Sequence, residues 1–217
     1  MNFLLGLYQS SVGKKILMGT TGVCLCIYLI VHLCGNLLLF KNDGGAAFNA
    51  YAEILPSLLF IRVIEILLFA IFLGHMILGT ILWLKNRSAR PRRYAVNAAG
   101  ENSPLVSRIM FITGAVVACF LIIHLRQFWA PARFGADKVE MYALVKAALG
   151  DPVYGSVYIA GMVLLALHLR HGFQSAVQTF GLRNSAYLPL INLIGLLFWV
   201  LIPLGFAAMP VYFLLKF

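Results

Sequence analysis

The sequence predicts an all-α integral membrane bundle of five transmembrane helices, and three observations carry that prediction. The chain of 217 residues is 62% hydrophobic and only 11% charged. Its mean hydropathy of +0.91 is too high for a soluble domain of this length. Its apolar residues also fall into runs that can cross a bilayer core, which takes about 20 residues at ~1.5 Å rise each. A single domain over residues 1–217 follows.

Five runs meet that length: about 16–40, 58–84, 109–130, 154–180 and 187–215. Ahead of the first, residues 2–12 set Gln9, Ser10 and Ser11 beside Phe3, Leu4 and Leu7, the pattern of a short amphipathic segment on the membrane surface. Met1 to Tyr8 does not read as a cleavable signal, because Lys14 and Lys15 follow the apolar stretch instead of preceding it. The amino terminus is therefore expected to be retained.

The connections differ in character. Residues 41–57 hold Asn42, Asp43, Gly44, Gly45 and Pro56, whereas 85–108 hold Lys85, Arg87, Arg90, Arg92, Arg93 and Arg108 against one acid, Glu101. The positive-inside rule makes the basic connection cytoplasmic, which puts the amino terminus on the same side and the loop 131–153 outside. Asp43, Glu53, Asp137, Glu140 and Asp151 then lie in outer loops, and a short turn around Arg183, Asn184 and Ser185 joins spans four and five inside. Nothing remains to form a soluble domain, so the chain holds no flavin or nucleotide site of its own. The net charge of +10 is explained by topology and lipid headgroups, not by nucleic acid. Cys24, Cys26, Cys34 and Cys119 lie in apolar runs without a metal-ligand spacing and read as small packing residues.

Chemistry enters with His32, His75, His124 and His168, one in each of the first four spans. Because successive spans run in opposite directions, His32 and His124 belong toward the outer face, and His75 and His168 toward the cytoplasmic face. A porphyrin iron held by two axial imidazoles needs two histidines at one depth on facing helices, with small residues nearby. Gly79 and Gly172 follow His75 and His168 by one turn, on the same helix face. Gly22 and Gly114 stand ten residues before His32 and His124, a shared spacing that hints at equivalent roles for spans one and three. A lone membrane histidine is more often a packing donor or part of a proton path. Four of them, paired by depth, favour a di-haem bundle.

His171, three residues after His168, is a competing ligand on a neighbouring face. His168 is preferred for its match in depth to His75, and His171 is left to contact a haem propionate or to snorkel. Arg126, and Arg108 with Ser107, are positioned to neutralise propionates of the outer and inner haems, or to snorkel at the interface. Glu65, a carboxylate near the outer start of span two, is expected to pair with Arg62 at i, i+3, or else to serve the outer haem or a quinol proton path. Trp83, Trp129 and Tyr94 read as interfacial belt aromatics.

At these residues the chain resembles the single-polypeptide, five-helix cytochrome b subunits of succinate dehydrogenase and fumarate reductase. The resemblance runs through SSVGKKILMGTTG at 10–22, HLCGNLLLF at 32–40, FNAYAEIL at 48–55, RVIEILLFAIFLGHMILG at 62–79 and KNRSARPRRY at 85–94. It continues through SRIMFITG at 107–114, HLRQFW at 124–129 and HLRHGFQSAVQTFG at 168–181.

The resemblance implies two b haems, a distal one on His32 and His124 and a proximal one on His75 and His168. It implies a membrane anchor of respiratory complex II, in a prokaryotic cytoplasmic membrane. Partner subunits would be a flavoprotein that interconverts succinate and fumarate and an iron–sulfur protein that relays electrons, with higher oligomers of the complex open. The substrate in the lipid would be a quinone, menaquinone by family habit. Glu53 resembles in position an acid that serves menaquinol oxidation in some relatives. Some relatives also carry a glutamate two residues before the fourth ligand, where this chain has Ala166, which puts that proton path in doubt. Two rival readings stay open: a cytochrome b anchor for another quinone-linked dehydrogenase, and a haem-free transporter or structural protein.

Overall fold

The structure, a computed structural model, describes residues 10–89, 105–135 and 139–216. The surface segment expected before Ser10, together with Arg90, Arg92, Arg93, Tyr94, Glu101 and Asp137, lies outside the described residues.

Five helical spans are long and apolar enough to cross a membrane: Ser11–Phe40, Leu59–Ser88, Met110–Phe134, Pro152–Thr179 and Leu188–Leu215. They fall on the five runs read from the sequence, and the shifts at their ends have local causes. Helix α1 (Ser11–Asn36) starts five residues early because the Ser10 hydroxyl accepts from the Gly13 N–H at 2.9 Å, capping the first turn.

A short turn over Leu37–Phe40 and the left-handed Gly44 and Gly45 lead into α2 (Ala46–Ser57), where the sequence suggested a loop. Pro56 stands one residue before the end of α2, which stops at Ser57. Helix α3 (Leu59–Ser88) follows, then the short α4 (Leu105–Arg108), and α5 (Met110–His124).

A wide i→i+5 turn over Leu125–Trp129 carries span three into α6 (Ala130–Phe134), and the Ala130 N–H donates to the Leu125 carbonyl. A second such turn, over Leu197–Leu201, joins α9 (Leu188–Leu196) to α10 (Ile202–Leu215) within span five. Each is followed closely by a proline, Pro131 or Pro203, whose missing N–H and bulky ring an ordinary α-turn would accommodate poorly. Between spans three and four lies α7 (Met141–Gly150), again where a loop was expected. Helix α8 (Pro152–Thr179) begins with Asp151 accepting from the N–H groups of Val153 and Tyr154, a proline at its first position, and ends at left-handed Gly181.

Helices α1, α3, α5 and α8 form a closed four-helix ring, each touching two of the others, and α10 packs outside it against α8 and α1. The short helices α2 and α7 meet at one end. There the Tyr142 N–H donates to Asn49 Oδ1 (2.8 Å) and Asn49 Nδ2 donates to Glu140 Oε1 (3.2 Å). That capped end holds the main buried cluster, Leu39, Phe48, Phe128, Val145, Ala148, Leu149, Tyr158, Met209 and Phe213. The opposite, basic end carries Lys14, Lys15, Lys85, Arg87, Arg108 and Arg183. Side chains such as Ile66 (70% exposed) and Leu193 (65%) point outward from the spans, as a lipid solvent requires. Cys34 and Cys119 share that outward exposure, while Cys24 and Cys26 are half-buried.

Candidate functional site: two imidazole pairs along the bundle

The four helices of the ring put the four span histidines into two couples. His32 of α1 and His124 of α5 have ring centroids 5.8 Å apart with planes at 89°. His75 of α3 and His168 of α8 have centroids 6.4 Å apart with planes at 71°. His171 makes no ring contact with His75 among the described residues, so of the two candidates on α8 it is His168 that faces across the bundle.

The vertical register comes from glycines. A Cβ added at Gly22 would meet His75 Cε1 at 3.4 Å, and one added at Gly114 would meet His168 Cε1 at 3.1 Å. These glycines, ten residues below His32 and His124 on their own helices, therefore stand at the level of the other couple, and the two levels are about 15 Å apart at helical rise. Gly79 and Gly172, which sequence spacing placed beside the rings, are instead faced by the Met18 and Met110 methyls at 3.4 and 3.9 Å from a built Cβ. The close backbone approach to His75 and to His168 comes from the neighbouring helix of the ring, α1 and α5 respectively.

Hydrogen bonds orient the rings. Thr21 Oγ1 lies 2.9 and 3.0 Å from the Leu17 and Met18 carbonyls, and 3.0 Å from His75 Nδ1. A hydroxyl has one proton, and with that proton on either helix carbonyl Oγ1 is free to accept from the Nδ1–H tautomer of His75. That tautomer leaves the Nε2 lone pair free for a metal. His168 Nδ1 is buried and, among the described residues, without a hydrogen-bond partner. In the other couple, Asn36 Nδ2 lies 3.5 Å from His32 Nδ1 and donates to the His32 carbonyl at 2.8 Å, while Tyr158 Oη lies 3.4 Å from His124 Nδ1. Both Nδ1 contacts are at the outer limit of hydrogen-bond length and fix no tautomer. Tyr28 stacks on His32 at 5.4 Å, Phe206 lies 5.5 Å from His32, and Phe128 lies 5.3 Å from His124, giving the couple at the capped end an aromatic wall.

The donor set fits a metal bound on one axis. Two metal–imidazole bonds of about 2 Å each, plus the ring radii, put centroids roughly 6 Å apart. Steep interplanar angles suit rings that share an axis and are rotated about it, and they exclude face-to-face stacking. Among the described residues no three His, Cys, Asp or Glu side chains converge on a point, so each couple offers two imidazole ligands and no more from this ligand set.

Glu65 lies ten residues from His75, level with the His32–His124 couple, and is the hub of a polar cluster. Trp129 Nε1–H donates to Glu65 Oε1, Arg62 Nη1 lies 3.5 Å from Oε2, and Arg133 Nε lies 4.0 Å from Oε1. The expected Arg62–Glu65 pair is present, and Trp129 is a bonded donor more than a belt residue. Glu53, on α2, is exposed, as are Arg126 and Arg108, while Ser107 and His171 are half-buried. Arg126, Arg108, Ser107 and His171 make no hydrogen bond or ring contact with a histidine couple among the described residues. Trp83 stacks on Phe111 at 4.1 Å, with the Arg87 guanidinium 5.4 Å from the indole. Sequence reasoning missed Thr21, Asn36 and Tyr158 as ring neighbours and passed over the burial of Lys14, which is 5% exposed. Comparisons with protein-family models, with curated proteins and with solved structures find no match.

Proposed function

We propose that the chain is the di-haem membrane-anchor cytochrome b subunit of a succinate:quinone oxidoreductase, passing electrons between an iron–sulfur partner and quinone in the lipid. The observation that carries this reading is the pair of facing imidazole couples, with centroids 5.8 and 6.4 Å apart, at two levels of one four-helix ring. The ordered motifs of the resemblance, from SSVGKK to HLRHGF, support the particular complex. The basic end supports a cytoplasmic face on which a flavoprotein and an iron–sulfur subunit would dock.

In this reading His75 and His168 hold the haem nearer the cytoplasm, and His32 and His124 hold the other, each through Nε2. Haem bound there supplies one-electron transfer, and two of them divide a hydrocarbon core of about 30 Å into shorter hops. The residues of the chain supply the rest. Thr21 fixes the tautomer of His75, and Tyr28, Phe128 and Phe206 exclude water from the outer couple. Glu65, held by Trp129 and Arg62, is the carboxylate placed to exchange a proton with quinol at the capped end, and Glu53 on α2 stands at the same end.

The test is purification from membranes of cells expressing the chain with its genomic neighbours. Two reducible b haems per chain, with a flavin-bearing subunit in the complex, are expected. A colourless chain refutes the haem sites. Haems without a flavoprotein partner refute succinate chemistry and point to another dehydrogenase.

A further inference from the structure

The contacts repeat between the two halves of the ring. Met18, Thr21, Gly22, Tyr28 and His32 on α1 correspond, 92 positions on, to Met110, Thr113, Gly114, Phe120 and His124 on α5. His75 and Gly79 on α3 correspond, 93 positions on, to His168 and Gly172 on α8. The correspondence is spatial. Gly22 faces His75 as Gly114 faces His168, and Met18 faces Gly79 as Met110 faces Gly172. Tyr28 stacks on His32 at 16°, and Phe120 on His124 at 29°.

One contact breaks the repeat. Thr21 Oγ1 lies 3.0 Å from His75 Nδ1, whereas among the described residues His168 Nδ1 is buried without a hydrogen-bond partner. The position that corresponds to Thr21 is Thr113, 3% exposed, and its hydroxyl donates to the Met110 carbonyl at 2.9 Å, matching the bond from Thr21 to Met18. Its proton is thus committed and its lone pairs are open to an N–H. A Cβ built on the adjacent Gly114 lies 3.5 Å from His168 Nδ1, so the ring edge already rests against this turn of α5. A buried N–H left without an acceptor is costly, and a small ring rotation toward Thr113 removes that cost.

We infer that Thr21 and Thr113 are a matched pair of positioning residues, one for each axial imidazole of the inner couple, each accepting the Nδ1–H so that both rings present Nε2 to the same iron. This rests on the di-haem reading above. An acceptor at Nδ1–H makes the imidazole a stronger donor to ferric iron, and its loss favours the ferrous state. Removing either hydroxyl therefore raises the midpoint potential of the inner haem and leaves the outer haem unmoved.

The experiment compares Thr21→Val, Thr113→Val and the conservative Thr21→Ser and Thr113→Ser in the full chain within its membrane complex, by haem count, redox titration and electron paramagnetic resonance. Each valine variant is expected to raise the potential of the same haem and to weaken its retention by about 10- to 100-fold, with serine restoring both. Loss of the inner haem alone in a valine variant, rescued by serine, also supports the pairing. An inner haem at wild-type potential in Thr113→Val refutes it, as does loss of both haems without rescue by serine, which marks a purely structural role. A wild-type chain without haem refutes the di-haem reading itself, a result distinct from two haems whose potentials ignore the threonines.

Discussion

A methyl group added at Gly114 should disturb the inner couple, while the same methyl at the corresponding Gly22 should not. Both glycines sit inside long helices, where alanine is favoured by about 1 kcal/mol over glycine. At Gly22 the new carbon would lie 3.4 Å from His75 Cε1, close to ordinary contact. At Gly114 it would lie 3.1 Å from His168 Cε1, so the ring must give by a few tenths of an ångström. Overpacking of that kind costs about 1–3 kcal/mol in a well-filled interior. Gly22→Ala should thus be neutral or stabilising by up to ~1 kcal/mol, and Gly114→Ala neutral to destabilising by roughly 2 kcal/mol, once helix propensity offsets the contact. If the inner couple holds a haem as proposed, tilting His168 changes the angle between the two imidazole planes, which the low-spin ferric resonance would report directly. Gly114→Ala should shift that signal for one haem only, and Gly22→Ala should leave both near wild type. Equal spectra for the two variants, or a larger change in Gly22→Ala, would show that these Cβ contacts do not govern the rings.

Single histidine replacements should sort by couple. On the proposed di-haem reading, His75→Ala and His168→Ala should each remove one haem, His32→Ala and His124→Ala the other, and His171→Ala neither, as read from haem content and the split of the reduced absorbance band. Glu65→Gln keeps an acceptor for the Trp129 indole while giving up the half-exposed ion pair with Arg62, a loss of under about 1 kcal/mol, whereas Glu65→Leu removes the acceptor as well. Ultraviolet resonance Raman of the indole N–H should therefore move in Glu65→Leu and hold in Glu65→Gln; identical spectra would contradict the contact. Gly45→Ala forces a side chain into φ 90° against the Tyr142 ring, at a conformational cost of about 1–2 kcal/mol before any clash. Faster hydrogen exchange is expected across Ala46–Ser57 and Met141–Gly150, with the spans unaffected.

The five spans were legible because a bilayer demands long apolar runs, and hydropathy alone finds them. Their ends were less so, since Ser10 and Asp151 extend α1 and α8 by capping, a signal that was present but subordinate to hydropathy. Helices α2 and α7 were read as loops through their glycines and proline. Yet Val145, Ala148 and Leu149 lie at i, i+3 and i+4 and bury one face, so the periodicity was there to be used. The depth of the histidines followed from helical rise and alternating direction. Their neighbours did not, because which side chain meets a ring depends on the rotation of each helix about its own axis. That is why the approach of Gly22 and Gly114 to His75 and His168, and the contacts of Thr21, Asn36 and Tyr158, went unnoticed.

The wide turn at Leu125–Trp129 begins immediately after His124 and works as a phase adjuster within span three. Everything before it is timed to the imidazole couples, and everything after it to the Glu65 cluster, through Trp129 and Arg133. An ordinary α-turn gains about 100° per residue, so deleting one residue inside this loop of helix would swing the indole away from its carboxylate while leaving His124 where it stands. The length of these five residues of widened helix thus sets how the Glu65 cluster lines up with the His32–His124 couple.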